Sequence, residues 1–254
     1  MKIEFHKYQG TGNDFILIDN RTYQLSLSKN QIEKLTDRRF GIGADGVILI
    51  ENHTRLDFEM RYFNADGSRS FCGNGARCAV RFSEFLNICK DQAHFLAIDG
   101  EHHAKLFKSA ISLQMSDVTS VEKEGVAFTA DTGSPHYIEF VKDIQTVQIL
   151  EKGKEIRYSD KYKAEGINVN LVQENTLEML TYERGVEAET FSCGTGATAV
   201  ALAYAEKNNL KGLIALDIKV KGGQLQVGFN KEETFTNIFL KGPAESVFSG
   251  VYEL

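Results

Sequence analysis

No stretch of this 254-residue chain approaches the roughly 18 consecutive apolar residues of a membrane-spanning helix. The opening MKIEFHKYQG has no apolar core of the kind a secretory signal carries. A cytoplasmic protein with no membrane partner is therefore expected. Lysine and arginine form no cluster, and a net charge of −6 is poorly suited to neutralising phosphates, so nucleic acid is not an expected partner. Proline occurs only at 135 and 243, and no low-complexity run marks a linker. Domain boundaries must then be read from internal repetition. Cysteine is also scarce, at 72, 78, 89 and 193. Without an export signal a disulfide framework is not expected. The four positions also lack the close pairs, about two to four residues apart, of a structural zinc site, so no metal is expected.

What the chain does contain is ordinary in bulk, with 42% hydrophobic and 25% charged residues, and distinctive in pattern. Its length suits one large or two modest domains. The first half reads as short alternating strands: IEFHKYQG, FILID, GVILIE, FEMRYFN, HFLAIDGEHHAKLF with an Asp99-Gly100 turn, and AISLQM. Two helical patterns interrupt them, one over 28–39 with a Ser28/Gln31 capping box and one over 73–87. After Met115 the pattern starts again with VAFTADTG, HYIEFV, a polar helical segment around EKGKEIRYSDKY, then INVNLVQ and LEMLTYERG. A second helix follows, then IALDIKV and QLQVGF joined by Gly222-Gly223, and FTNIFL. The closing AESVFSGVYEL is one strand more than the second half needs, and is expected to cross back onto the first.

The most informative repetition is FCGNGARCAVRF at 71–82 and SCGTGATAVALA at 192–203. Each carries Cys-Gly-x-Gly-Ala and opens a helix that is apolar on nearly all sides, as a helix buried in the middle of a structure is. The expected architecture is α/β (α+β), with two pseudo-symmetric domains, each a β-sheet or barrel wrapped around a central buried helix. The boundaries expected are 1–117, with the strand 244–254 returning to it, and 118–243. The active site would lie in the cleft between them, where the two helix N-termini bring Cys72 and Cys193 face to face.

A glycine-rich turn at a helix N-terminus aims backbone N–H groups at an anion, aided by the positive end of the helix dipole. Gly73, Asn74 and Gly75, and Gly194, Thr195 and Gly196, would supply donors for a carboxylate. The same field lowers a thiol pKa from its usual value of about 8.5, so each cysteine is a plausible base. Packing beside tight turns would account for one such cysteine, but gives no reason to repeat both the cysteine and its glycines. Two thiols on opposite faces of one carbon could remove a proton from one side and deliver another to the other, which inverts a stereocentre. An α-amino acid suits that chemistry, since its carboxylate would sit on the helix N-termini and its carbanion would gain charge towards the same donors.

The ordered motifs GTGNDF (10–15), GIGADG (41–46), FNADGS (63–68), CGNGARC (72–78), SPH (134–136), INVN (167–170), YERG (182–185) and CGTGA (193–197) resemble the diaminopimelate epimerase family over the whole chain. That resemblance implies a pyridoxal-phosphate-independent homodimeric isomerase, with no cofactor, acting on a small amino-acid substrate in lysine and peptidoglycan precursor biosynthesis. It makes Cys72 and Cys193 the acid/base pair. Gly73-Asn74 and Gly194-Thr195 become donors to the reacting carboxylate. It places Asn64, Asn168 and Arg184 at the distal amino-acid end, with Arg184 suited to a bidentate carboxylate contact. Asn13 adds a substrate hydrogen bond, and His136 and Glu183 lie near the reacting carbon, poising the thiols and receiving the ammonium.

Many family members carry Asn where this chain has Ser134, so an amide contact to the distal carboxylate would become a shorter hydroxyl contact or a water bridge. Without the resemblance, Asn64 and Asn168 read as turn residues, Glu183-Arg184 as solvated charge, His136 as a satisfied histidine, and Cys78 and Cys89 as packing. Proline and hydroxyproline racemases usually carry His at the position of Asn74. A related racemase acting on glutamate or histidine stays open because of Ser134. So does a binding or redox module in which the two cysteines form a switching disulfide.

Overall fold

Alternating apolar residues build strands throughout, and the computed structural model, which describes Met1 to Leu254, gathers them into two units. One comprises Met1–Leu113 with Gly242–Leu254, and the other Gln114–Lys241. The first opens with β1 (Lys2–Gly10), β2 (Asn13–Asp19), the single turn α1 (Asn20–Tyr23) and α2 (Lys29–Thr36). It continues with β3 (Gly46–Glu51), β4 (Phe58–Asn64), α3 (Gly73–Phe85), β5 (Gln92–Ala97), β6 (Gly100–Phe107) and β7 (Ala110–Gln114). Successive strands pair, and the pairings are antiparallel except β2 with β3 and β4 with β5, which are parallel. A parallel pair needs a crossover, and α2 and α3 supply the two. α3 packs on β1, β2, β3, β4 and β6, so the sheet wraps around it.

The second unit contains β8 (Glu122–Glu124), β9 (Ala127–Asp131), β10 (Pro135–Val141), a 3-10 turn at Ile144–Thr146, α4 (Ile149–Arg157), β11 (Asn168–Gln173) and β12 (Glu178–Glu183). Then come β13 (Ala188–Thr190), α5 (Gly194–Lys207), β14 (Gly212–Val220), β15 (Gly223–Lys231) and β16 (Phe235–Gly242). Its parallel pairs are β10 with β11 and β12 with β14, again separated by one helix each. From β9 to β16 the order of strands, crossovers and parallel pairs repeats that of β1 to β7, with α5 in the place of α3. The last strand, β17 (Glu245–Glu253), returns to pair antiparallel with β1.

α5 is buried along almost its whole length, with only its C-terminal end reaching the surface. Its alanines give high helix propensity and let β9, β10, β11, β14 and β15 approach closely. The capping box at Ser28 and Gln31 is present, but α2 stops at Thr36 rather than running on to residue 39. Asp37 ends it, turning its carboxylate onto the backbone N–H groups of Arg39 and Phe40, both at 2.7 Å. α3 ends two residues before 87, because Asn87 takes a left-handed φ of 56°. The short strands β8 and β13 carry no alternation long enough to be read in the sequence.

The strands β3 and β11 occupy matching central positions, and both are buried on both faces. β3 is accordingly an unbroken apolar run, GVILI. β11 instead contains two buried asparagines, Asn168 and Asn170. A buried amide is costly unless its hydrogen bonds are made, so the second unit must supply partners there.

Candidate functional site

Cys72 and Cys193 are the residues immediately before α3 and α5. Both have extended backbone, φ/ψ −134/113 and −119/111, and neither thiol caps its helix. Their carbonyls accept the first helical bonds, from Ala76 N at 2.8 Å and Ala197 N at 2.9 Å. The N–H groups of a first helical turn have no intrahelical acceptor, so Gly73 and Asn74, and Gly194 and Thr195, present donors beside each sulfur. Such a turn favours an anion, whether a bound carboxylate or the thiolate itself.

In the first unit Asn13, at the start of β2, meets this turn. Its Oδ1 accepts from Asn74 Nδ2 at 3.2 Å and from the Cys72 thiol at 3.6 Å, while its Nδ2 donates to Asp45 Oδ2 at 2.5 Å. A carboxylate can only accept, so Asp45 fixes which end of the amide faces the cysteine. Asp45 is held by Arg38, which also binds Asp14, and Asp14 pairs with the buried Lys7 at 2.7 Å. Burial pushes the Asp14 carboxyl up, but Arg38 and Lys7 outweigh it and hold it at about 2. The motifs GTGNDF and GIGADG thus meet in one ion cluster that orients Asn13. Asn64 lies at the end of β4, with its amide donating to Ser68 and Ser70 of its own turn. Arg77, one turn into α3, is fully buried.

In the second unit the SPH, INVN and CGTGA motifs meet. His136 is fully buried on β10; its Nε2 lies 3.0 Å from both Ser134 Oγ and Thr195 Oγ1, and its Nδ1 lies 3.1 Å from Asn170 Nδ2. Burial, and secondarily the charge of Arg184, depress its pKa to about 3. It is therefore neutral at physiological pH, and it reaches Cys193 only through Thr195, whose Oγ1 is 3.4 Å from the sulfur. The amide of Asn168 is engaged within the protein, donating to Ser134 Oγ at 3.1 Å and the Pro135 carbonyl at 3.0 Å and accepting from Arg184 N at 2.9 Å. Ser134 is accordingly part of this network. Glu183 ends β12, and the exposed Arg184 after it donates through Nη1 to the Glu165 carbonyl.

Gly196 has no room for a side chain, because a Cβ there would lie 2.7 Å from Asn170 Oδ1 and 3.3 Å from Cys193 Sγ. Its counterpart Gly75 meets only apolar atoms, the nearest being Ile48 Cδ1 at 3.2 Å. Burial pushes the Cys78 thiol well above the usual range and raises that of Cys89, so both stay protonated. No three His, Cys, Asp or Glu side chains converge as a metal-ligand set, and no helix is long and apolar enough to cross a membrane.

The model of the family described as diaminopimelate epimerase matches residues 5–119 and 128–247. The chain belongs to that family. A diaminopimelate epimerase of Flavobacterium psychrophilum is 50% identical, over 97% of this chain and 98% of the relative. One of Aquifex aeolicus is 36% identical over 98% and 97%. Among solved structures, a phenazine biosynthesis protein of the PhzF family from Bacillus anthracis superposes with a TM-score of 0.79 over the full length of both chains at 13% identity. A hydroxyproline epimerase from Agrobacterium vitis gives 0.67 at 13% identity, over 98% of this chain and 92% of that one. At such identities these two establish the shared two-domain fold alone. Among the residues of the diaminopimelate epimerase motifs to which the sequence assigned no role, Asp14, Asp45 and Asn170 support the two cysteine turns and Arg77 is buried in α3. A signal existed for two of them: Arg77 is the one charge in the first turns of an apolar helix, and Asn170 shares a strand face with Asn168.

Proposed function

We propose that this chain is a cofactor-independent epimerase that interconverts L,L- and meso-2,6-diaminopimelate, with Cys72 and Cys193 as the acid/base pair. The observation that carries the reading is the duplicated helix opening, in which each cysteine stands at a helix N-terminus with its thiol uncommitted to capping. Family membership supplies the substrate.

In this reading the thiolate of one cysteine removes the α-proton, and the thiol of the other delivers its own proton to the opposite face. One thiol becomes thiolate as the other becomes thiol, so the pair is left ready for the reverse reaction. Charge developing on the carbanion flows into the substrate carboxylate, where the first-turn N–H groups of Gly73-Asn74 and Gly194-Thr195 stabilise it. Glu183 receives the ammonium at the reacting end. Arg184 takes the distal carboxylate, with Asn64 and Asn168 beside it once their present partners are exchanged for substrate. Asn13 bonds substrate while holding the first cysteine, and His136 acts through Thr195. The homodimer and the cytoplasmic location belong to the same proposal, and sedimentation of the purified protein tests the former.

Incubation with L,L-diaminopimelate in deuterated water, followed by chiral analysis, is the decisive assay. Two bases holding separate protons predict deuterium in the product stereoisomer ahead of the recovered substrate. A thiol switch or binding module gives no exchange, and turnover of another amino acid in preference to diaminopimelate would reassign the substrate.

A further inference from the structure

The hydrogen bonds around Cys193 have a direction that follows from the groups themselves. Asn170 Nδ2 lies 3.1 Å from the Tyr137 carbonyl oxygen. A carbonyl only accepts, so the amide nitrogen must face it, and Oδ1 turns to accept from Thr181 Oγ1 at 3.0 Å. The second hydrogen on Nδ2 then points at His136 Nδ1, 3.1 Å away, which must be bare. A neutral imidazole with a bare Nδ1 carries its hydrogen on Nε2. Asn168 is fixed by the same logic, with Nδ2 donating to the Pro135 carbonyl and to Ser134 Oγ. His136 Nε2, protonated and 3.0 Å away, also faces Ser134 Oγ as a donor, so the acceptor left for the Ser134 hydroxyl hydrogen is Thr195 Oγ1, 3.3 Å away. Thr195 Oγ1 receives from His136 Nε2 at 3.0 Å, and the acceptor left for its own hydrogen is Cys193 Sγ at 3.4 Å.

We propose, on the basis of the epimerase reading above, that Thr181, Asn170, His136 and Thr195 form a one-way hydrogen-bond chain that delivers the Thr195 hydroxyl hydrogen to the Cys193 sulfur and holds it as a thiolate. Asn170 is the positioning residue that sets the direction. If it did not donate to Nδ1, the imidazole could adopt the other tautomer, and Nε2 would draw the Thr195 hydrogen away from sulfur. The missing Cβ at Gly196 serves the same end, because it lets the Asn170 amide and the Cys193 sulfur share the space beside the first turn of α5.

Charged groups around the chain leave it neutral. Arg184 acts on His136 and opposes its protonation, and Glu183 adjoins Arg184 in sequence. On β9, Asp131 is exposed and turned onto Gly133 N. On β10, Glu139 is held by Lys152 and Tyr137. β11 carries no charge. On β14, Lys219 pairs with Glu178 of β12 and Asp217 accepts from Gln226. Lys231 of β15 is bonded at the far end of α5, to Glu206 and the Ala205 carbonyl.

The test is alkylation of the intact protein by iodoacetamide as a function of pH, with Cys193- and Cys72-containing peptides quantified separately by mass spectrometry. The midpoint of the profile is read, so limited access to sulfur cancels. Thr195→Val should raise the Cys193 midpoint by about one pH unit, which makes alkylation near pH 7 about tenfold slower. Asn170→Leu should shift it in the same direction, Thr195→Ser should restore it, and Cys72 should keep its own midpoint throughout. A folded Thr195→Val protein with an unmoved Cys193 midpoint overturns the proposal, as does a Thr195→Ser shift equal to that of Val. Should Asn170→Leu fail to fold, the two Thr195 variants decide. A shifted midpoint in a protein that shows no α-proton exchange would uphold the chain while removing the epimerase reading.

Discussion

The same backbone device, a cysteine in extended conformation ahead of a glycine-rich helix turn, is embedded in two chemically different surroundings. Around Cys72 the first unit places fixed charges. Lys7, Asp14, Arg38 and Asp45 orient the Asn13 amide so that an acceptor faces the thiol, while Arg77 is buried one turn into the helix. Around Cys193 the second unit places neutral donors and acceptors whose direction is set by backbone carbonyls. The two copies share the backbone of the helix opening and differ in the groups set beside each sulfur. A reaction that uses one thiol as acid while the other is base gives a reason for that divergence. On the two-thiol mechanism proposed above, the stereoisomer to be inverted would decide which cysteine acts as base.

The sharpest test of equivalence is to remove each sulfur in turn. Cys72→Ala and Cys193→Ala should each lower kcat/KM for epimerisation by about 10²–10⁴, the contribution of one general acid or base, or about 3–5 kcal/mol. Cys78→Ala and Cys89→Ala should stay within about tenfold of the parent rate, because loss of packing acts on stability first. A Cys193→Ala enzyme with most of its activity would show that only one copy of the motif does chemistry.

Adding a methyl group to each matching glycine separates the copies next. Gly196→Ala would press on Asn170 Oδ1 at 2.7 Å and on Cys193 Sγ, so it should cost about 10- to 100-fold in rate, the scale of a small misplacement at a reacting group. Gly75→Ala would press on Ile48 Cδ1 at 3.2 Å, a side-chain end that can rotate, and should leave the rate within a few-fold. Equal losses measured for the two variants would mean that neither glycine serves a polar arrangement.

Acid should act on the two units at different pH. His136 has a folded pKa depressed to about 3, below its unfolded value of about 6.5. Its neutral form is the folded one, so this stability is fully present above about 6.5 and is lost progressively as pH falls towards 3. Between pH 7 and 5 the loss amounts to about 2 kcal/mol. Asp14 is also depressed, to about 2, and its contribution is lost only as pH falls from its ordinary value of 3.8 towards that. Amide exchange should therefore report loosening of β10 and β11 at pH 5 while β2 and β3 remain protected. His136→Gln should flatten the response in the second unit, and an unchanged slope in that variant would show that this histidine does not govern it.

These particulars also mark what could be read in the sequence. The duplicated motif, the buried helices and most strands were legible because apolar periodicity and Cys-Gly-x-Gly-Ala are local signals. The helical pattern runs three residues past the end of α2 at Thr36 because the turn made by the Asp37 side chain leaves no periodic trace. Asn168 and Asn170 were visible as letters in INVN, but that Asn170 directs a histidine tautomer depends on the Tyr137 carbonyl, one strand away in the sheet. Likewise, Asp14 and Asp45 lie 31 residues apart and acquire a joint role only through the parallel pairing of β2 with β3. Non-local pairing creates these relations, and residue order does not encode them in any short window.

Arg77 gives the smallest expected effect and the closest comparison, since its place in the repeat is taken by Thr198, whose hydroxyl merely bonds back to the Gly194 carbonyl at 3.1 Å. The guanidinium is fully buried, its Nη2 and Nε make long bonds to Thr11 Oγ1 at 3.3 Å and the Pro243 carbonyl at 3.4 Å, and its Nη1 makes none. Burial pulls its pKa down, opposed by Cys78 and Cys72. A cation so poorly solvated is costly to the fold, and of the two thiols that act on it, Cys78 stays protonated, which leaves Cys72 as the group it would stabilise in the proposed mechanism. Arg77→Met, which keeps most of the volume, should leave melting unchanged or raise it, since apolar replacement of buried charge is often neutral or stabilising. The same variant should shift the Cys72 alkylation midpoint upward by about one pH unit, an effect of about tenfold near neutrality, with Cys193 unaffected. A lower melting temperature with the Cys72 midpoint unmoved would make Arg77 a structural residue with no hold on that thiol.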